Sequence, residues 1–183
     1  MLRRNLFAAV LLLTGICAVP RAMAQEMPTE TKLGASLSAG GGLSDYQIDY
    51  GKNVLGGVFA YVDFNIAGRY GIEGEGRWLF VHQQANVHAS TKLIGPRVSL
   101  LQTHHLTVYG KVLAGSGHFN FPYNYYTGDY FVIAPGAGVD VELHHKLILR
   151  LVDVEYQDWP QFSFGPMHSY GVSVGISYRF YTP

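Results

Sequence analysis

The sequence holds a single cysteine in 183 residues. It is Cys17, inside the apolar stretch that opens the chain. The rest has no thiol, so disulfide frameworks and thiol catalysis are excluded there. Charge is also scarce, at 14% of residues, and the 13 basic side chains are matched by 13 acidic ones. No polybasic run stands out, which argues against nucleic acid as a partner. Beyond residue 24 no apolar run reaches the ~20 residues of a membrane-spanning helix. A chain that crosses a bilayer without such helices must close its strands into a barrel, because every backbone polar group needs a partner in lipid.

What the chain has instead is glycine, tyrosine and period-two alternation. There are 22 Gly and 13 Tyr. From Ser169 to Phe180 the alternation has no fault: Tyr170, Val172, Val174, Ile176, Tyr178 and Phe180 share one face, and Ser169, Gly171, Ser173, Gly175, Ser177 and Arg179 the other. This is a β-strand. Its large face is apolar with aromatic ends and its small face is polar, as expected of a strand between lipid and a lumen.

The N-terminus has the parts of a secretory signal. Arg3 and Arg4 precede an apolar stretch from Leu6 to Val19, and Ala22-Met23-Ala24 supplies small residues for cleavage after Ala24. Ile16, branched and directly before Cys17, argues against lipoprotein processing. Cleavage would remove Arg3, Arg4 and Arg21 and leave an acidic remainder. The expected organisation is a signal peptide over 1–24, a short polar arm over 25–32 and one β-domain over 33–183.

Eight strands can be read in order. Leu33–Ser44 is the first and Val54–Asn65 the second. Tyr70–Val81, the third, alternates Tyr70, Ile72, Trp78 and Phe80 with Glu73, Glu75 and Arg77. In a soluble sheet the charged face would simply be solvated. The sixth strand argues otherwise: Phe131, Ile133, Pro135, Ala137, Val139, Val141 and Leu143 oppose Ala134, Gly136, Gly138, Asp140 and Glu142. The fourth and fifth likewise put Arg97 and Lys111 beside Gly95 and Gly115. Glycine and charge sharing a face suits a crowded barrel interior. In the seventh strand Arg150 has the opposite parity to Asp153 and Glu155. Either a bulge shifts the register or Arg150 sits at the membrane rim; Asp153 and Glu155 are read as interior. Short connections near Gly68, Gln102–His105 and His144–Lys146 alternate with longer ones such as Asp45–Asn53 and Gly117–Asp129. Short turns at one rim and long loops at the other predict an all-β, eight-stranded antiparallel up-and-down transmembrane β-barrel, with both termini at the short-turn, periplasmic rim.

Three pieces then carry a resemblance: Ile94-Gly95-Pro96-Arg97-Val98-Ser99-Leu100, Val132–Asp140 and the last strand. Over about residues 33–180 the chain resembles the eight-stranded outer-membrane barrels of the OmpA/OmpX type, the barrel-only members above all. The resemblance implies an outer-membrane location, contact with outer-membrane lipid and lipopolysaccharide, and recognition by the barrel-assembly machinery. Ser173, Gly175, Tyr178 and Phe180 look like the assembly signal of such barrels, although Tyr181-Thr182-Pro183 follow where members commonly end on the aromatic. No peptidoglycan-binding domain follows, so cell-wall anchoring is not implied.

The candidate functional residues fall into four groups. Asp63, Glu73, Glu75, Arg77, Arg97, Lys111, Asp140, Glu142 and Arg179 are expected to form an interior charge network. An eight-stranded barrel is just wide enough for side chains to fill it, so a salt-bridged plug is favoured over an ion path; Glu75 is expected to pair with Arg97 or Lys111. Phe119, Phe121, Tyr123, Tyr125 and Tyr126 are candidates for surface recognition of an extracellular ligand, or else extend an aromatic belt. His104–His105 and His144–His145 lie on two turns, but adjacent strand residues point oppositely, so no metal is expected. His88-Ala89-Ser90 has the spacing of barrel lipid A deacylases, yet no Asp or Glu lies between Ser90 and Asp129 to orient a triad. The functional expectation is a structural or surface-interaction barrel, neither enzyme nor cofactor-bound. A narrow channel is the alternative, ahead of a lipid A-modifying enzyme; a soluble periplasmic barrel is a third reading of the fold.

Overall fold

The structure is a computed structural model and describes residues 35–48, 53–81, 88–120, 127–144, 146–161 and 167–181. Eight strands form one closed barrel: β1 (Ser36–Ile48), β2 (Asn53–Ala67), β3 (Tyr70–Val81), β4 (His88–Gln102), β5 (Leu106–Asn120), β6 (Thr127–His144), β7 (Leu147–Trp159) and β8 (Met167–Tyr181). Every neighbouring pair is antiparallel, and β8 closes against β1 through pairs such as Gly42 with Gly175. No backbone edge is left open, which is the condition for crossing a bilayer with strands.

Over most of each strand the outward face is apolar. Val58, Val62 and Phe64 of β2, Ile72 of β3, Ile133 of β6 and Val172, Val174 and Ile176 of β8 are all exposed. Such a continuous apolar surface is far larger than a soluble monomer presents. Aromatics mark its two edges, with Trp78, Phe80, Phe131, Tyr156 and Tyr170 towards one rim and Phe64, Tyr70, Tyr178 and Phe180 towards the other. This is the aromatic girdle of a transmembrane barrel.

Towards the long-connection rim the polarity inverts. Outward positions become polar: Asp45, Gln47, Lys92, Ser116, Asp129 and His168 are exposed. Inward positions become apolar: Ile48, Leu55, Leu79, Phe119, Tyr130, Trp159 and Met167 join one buried cluster. The strand ends at this rim therefore follow the rule of water-soluble sheets, apolar inside and polar outside, while the middle obeys the rule of lipid. The change of rule marks where the barrel leaves the bilayer.

This inversion also corrects the loop lengths. The ladder continues through residues expected to be loop: β1 reaches Ile48, β5 reaches Asn120 and β6 begins at Thr127. The connections at that rim shrink to 49–52, 82–87, 121–126 and 160–166. Strand pairing persists there because the apolar side chains inside give it a core to pack on. At the opposite rim the turns are tight; Gly68 takes a φ of 53°, a left-handed conformation open to glycine.

The parity conflict in strand seven is resolved by a bulge. Arg150 pairs with Gly175 and Asp153 with Ser173, so β7 spends one residue more than β8 over this step. On the other side Val139 faces Val152 while Asp140 faces Arg150. Leu151 is the extra residue and is exposed on the outer wall. Arg150, fully buried, points inward along with Asp153 and Glu155. It does not sit at a membrane rim.

Candidate functional site

The barrel interior is the chemically dense part of the molecule. At its centre β5 aims Lys111 inward among four carboxylates. Its Nζ lies 2.8 Å from Glu73, 3.0 Å from Glu75, 2.8 Å from Asp153 and 3.2 Å from Glu155. Nearer the short-turn rim Arg150 reaches Asp63 and Glu73 at 3.1 Å, Asp153 at 3.2 Å and Asp140 at 3.3 Å. Arg97 binds Asp63 and Asp140, each at 2.5 Å. On the other side Arg77 pairs with Glu75 at 2.6 Å and Glu155 at 2.7 Å, and donates to the Tyr46 hydroxyl.

Aromatic rings carry these cations. The Arg150 guanidinium lies 3.6 Å from the centre of Tyr61, Arg97 lies 3.7 Å from Tyr109 and Arg77 lies 4.3 Å from Tyr46. The tyrosine hydroxyls in turn donate to carboxylates, Tyr109 to Asp153 at 2.8 Å and Tyr46 to Glu155 at 3.0 Å. Glycines make room for the rings. A Cβ on Gly171 would come within 2.2 Å of the Tyr46 ring, and one on Gly138 within 2.4 Å of the Tyr109 hydroxyl.

Desolvated charges are costly unless each is paired and hydrogen-bonded, and here none stands alone. Four cations, Arg77, Arg97, Lys111 and Arg150, face six carboxylates, Asp63, Glu73, Glu75, Asp140, Asp153 and Glu155. The oxygens of Glu73, Glu75 and Asp153 converge within 4.8 Å of one another, as metal ligands would. The Lys111 ammonium already stands at bonding distance from all three. It supplies the positive charge itself, so this trio does not fit a metal.

Of the two partners expected for Glu75, the one it meets is Lys111. Arg97 is out of its reach because the register sets Glu75 opposite Leu93 and Arg97 opposite Gly71. Glu142 and Arg179 pair with each other at 3.1 Å, partly exposed, and stand apart from the central network. They border a cavity of about 580 Å³ at the short-turn rim. Its wall includes Asp63, Arg97 and Asp140, so this vestibule ends on the lower edge of the network. Above the network the apolar cluster fills the barrel, with Phe119 edge-on to Trp159 at 6.4 Å. Arg150, which carries four of the ion pairs, was not placed in the expected network; of the two readings of strand seven, the bulge is the one that turns it inward.

Of the surface-recognition group only Phe119 is among the described residues. Phe119 is fully buried inside β5 and offers nothing to a ligand outside. It is inward because the ladder extends to Asn120, and the interior there is apolar. Phe121, Tyr123, Tyr125 and Tyr126 lie outside the described residues. Within the assembly group Ser173 points inward, 2.8 Å from the Ser44 hydroxyl, and Gly175 lies in the closing seam. Tyr178 and Phe180 face outward, their rings 5.3 Å apart.

His88 and Ser90 both lie on the outward side of β4. The register sets Ser90 opposite His118, and His118 opposite Asp129. His118 and Asp129 are 2.8 Å apart, a serine–histidine–aspartate row that spacing along the chain could not reveal. The pair is open to water, with side chains 43% and 75% exposed. His104, His105 and His144 are exposed at the short-turn rim; His145 lies outside the described residues.

A closed eight-stranded barrel with an apolar, aromatic-edged outer wall and a charge-filled interior has the fold of an outer-membrane β-barrel. No protein-family model matches the chain, and no curated protein does. Solved structures do. The crystal structure of Neisserial surface protein A aligns with a TM-score of 0.66 at 8% identity, covering 80% of this chain and 97% of that one. OprG from Pseudomonas aeruginosa aligns with a TM-score of 0.57 at 13% identity, over 80% and 96%. Ail, the attachment invasion locus protein of Yersinia pestis, aligns with a TM-score of 0.51 at 18% identity, over 80% and 98%. All are eight-stranded outer-membrane barrels.

Proposed function

We propose that this is an exported outer-membrane protein, cleaved after Ala24, that serves as a rigid, non-conducting barrel and presents its long-connection rim to the cell exterior. The observation that carries this reading is the stacked filling of the interior: a vestibule, then the network around Lys111 and Arg150, then the apolar cluster around Trp159. An ion entering the vestibule meets paired, hydrogen-bonded charges and beyond them a buried apolar cluster. The polar outer surface of the upper strand ends supports a rim that stands in water, where a partner or lipopolysaccharide can be met. Ail, of the same fold, was crystallised with the heparin analogue sucrose octasulfate, which is in keeping with a role in surface contacts. Refolded protein in a planar lipid bilayer is expected to show no stable conductance steps at either polarity. Discrete, reproducible steps would replace this reading by that of a narrow channel.

The row Ser90, His118 and Asp129 favours one competing reading, hydrolysis of an ester at the outer membrane surface. No hydrogen bond joins Ser90 to His118 among the described residues, and a nucleophile needs its base within reach. Lipid A mass spectra from cells with and without the protein are expected to be identical. A deacylated species that disappears with Ser90→Ala would establish the enzyme.

A further inference from the structure

The vestibule mouth gathers imidazoles from two turns. His104 and His105 between β4 and β5, and His144 at the end of β6, all border the same cavity. The sequence argument against a metal was that neighbouring strand residues point to opposite faces. Residues 103–105 are not strand, so that rule does not separate His104 from His105. Their ring centres are 6.5 Å apart, inclined at 61°. Two imidazoles bound tetrahedrally to one zinc at about 2.1 Å place their ring centres about 5 Å apart, so this pair needs only a small closing movement.

The second turn is held close to the first. Leu106 pairs with Val141, and the Glu142 amide donates to the His105 carbonyl at 2.8 Å, carrying the β5–β6 ladder to the mouth of the cavity. His144 is two residues beyond that clamp. The three imidazoles do not yet share one coordination sphere, but all three residues are exposed, so bringing them together disturbs no buried packing. The charges around the cavity balance, Asp63, Asp140 and Glu142 against Arg97, Arg150 and Arg179, so it is the imidazoles that supply the ligand set.

We propose that His104, His105 and His144 form a binding site for one borderline divalent transition metal, of the zinc, copper(II) or nickel(II) class, at the mouth of the periplasm-facing vestibule. Imidazole nitrogen suits these ions, whereas magnesium and calcium require oxygen. Occupancy would tie the turn after β4 to the end of β6 and lie across the opening of the vestibule. The site does not depend on whether the opposite rim binds anything.

The test is calorimetric titration of the barrel, refolded in detergent without an affinity tag, with zinc chloride. One zinc per chain is expected, with micromolar or tighter affinity. His104→Ala combined with His144→Ala should weaken it at least tenfold, and magnesium chloride should give no saturable heat. His88→Ala combined with His118→Ala, at the other rim, should leave zinc binding unchanged. Copper(II) electron paramagnetic resonance should show nitrogen couplings that the His104/His144 double variant loses. Absence of saturable zinc binding overturns the proposal, as does binding that survives replacing His104, His105 and His144 together by Ala. These side chains are exposed, and heat-modifiable migration on a gel checks that each variant has folded.

Discussion

Lys111→Met is expected to destabilise the barrel by about 3–5 kcal/mol, the usual cost of removing one partner from a buried ionic cluster. The Lys111 ammonium is bonded to Glu73, Glu75, Asp153 and Glu155 and is wholly buried. Methionine keeps most of the volume and removes the charge. Four carboxylates then face one another with Arg77, Arg150 and, 3.5 Å from Glu73, Arg97 left to neutralise them. Denaturant titration of the refolded protein in micelles measures the loss. The charge account makes a sharper claim: adding Glu75→Gln to Lys111→Met should recover part of the stability, because it removes one of the stranded anions. If Lys111→Met is neutral, or if Glu75→Gln makes it worse, the network is not held by charge pairing.

Gly42→Val is expected to prevent closure. In the seam between β1 and β8 a Cβ on Gly42 would lie 1.9 Å from the Val174 carbonyl oxygen and 2.5 Å from the Gly175 Cα. Both neighbours are backbone and cannot swing aside. Opening the seam would leave unpaired amides in lipid, at several kcal/mol per group. The folded, fast-migrating band on an unheated gel should therefore be nearly absent for this variant. Gly74 is the contrast, since a Cβ there meets nothing within 4 Å. Gly74→Ala should fold like the parent. Equal folding of the two variants would show that glycine at the seam is incidental.

The parts of this barrel that were legible in the sequence are those where one rule holds along a whole strand. β8 alternates without interruption, and its apolar face could be assigned to lipid because Glu73, Glu75, Arg97, Lys111 and Asp140 recur on the opposite faces of other strands. The upper third was not legible, because the rule reverses there. Leu79, Leu113 and Trp159 face inward, so to a reader expecting a polar lumen the ends of these strands look like loop or noise. Phe119 was misplaced for this reason. Arg150 was left between a bulge and the membrane rim for a different one: parity counts residues along one strand, while a bulge is defined by two neighbouring strands. The pairing of Ser90, His118 and Asp129 across three strands was likewise invisible to spacing. The charge cluster was readable as a set of residues but not as a set of partners, since register decides that Arg97 meets Asp63 and Asp140.

Leu151 faces outward to lipid, yet it sets the phase between the inward residues on either side of it on β7. With one residue inserted between two inward-facing groups, Arg150 and Asp153 can serve the same interior although the number of steps between them is odd. Without it, a continuous strand would have to turn either Arg150 or the pair Asp153 and Glu155 to the hydrocarbon. A leucine on the lipid face thus acts as the spacer that lets one strand deliver both signs of charge to the same side. The pairing of charges in the interior depends as much on this count of backbone units as on the ionic groups themselves.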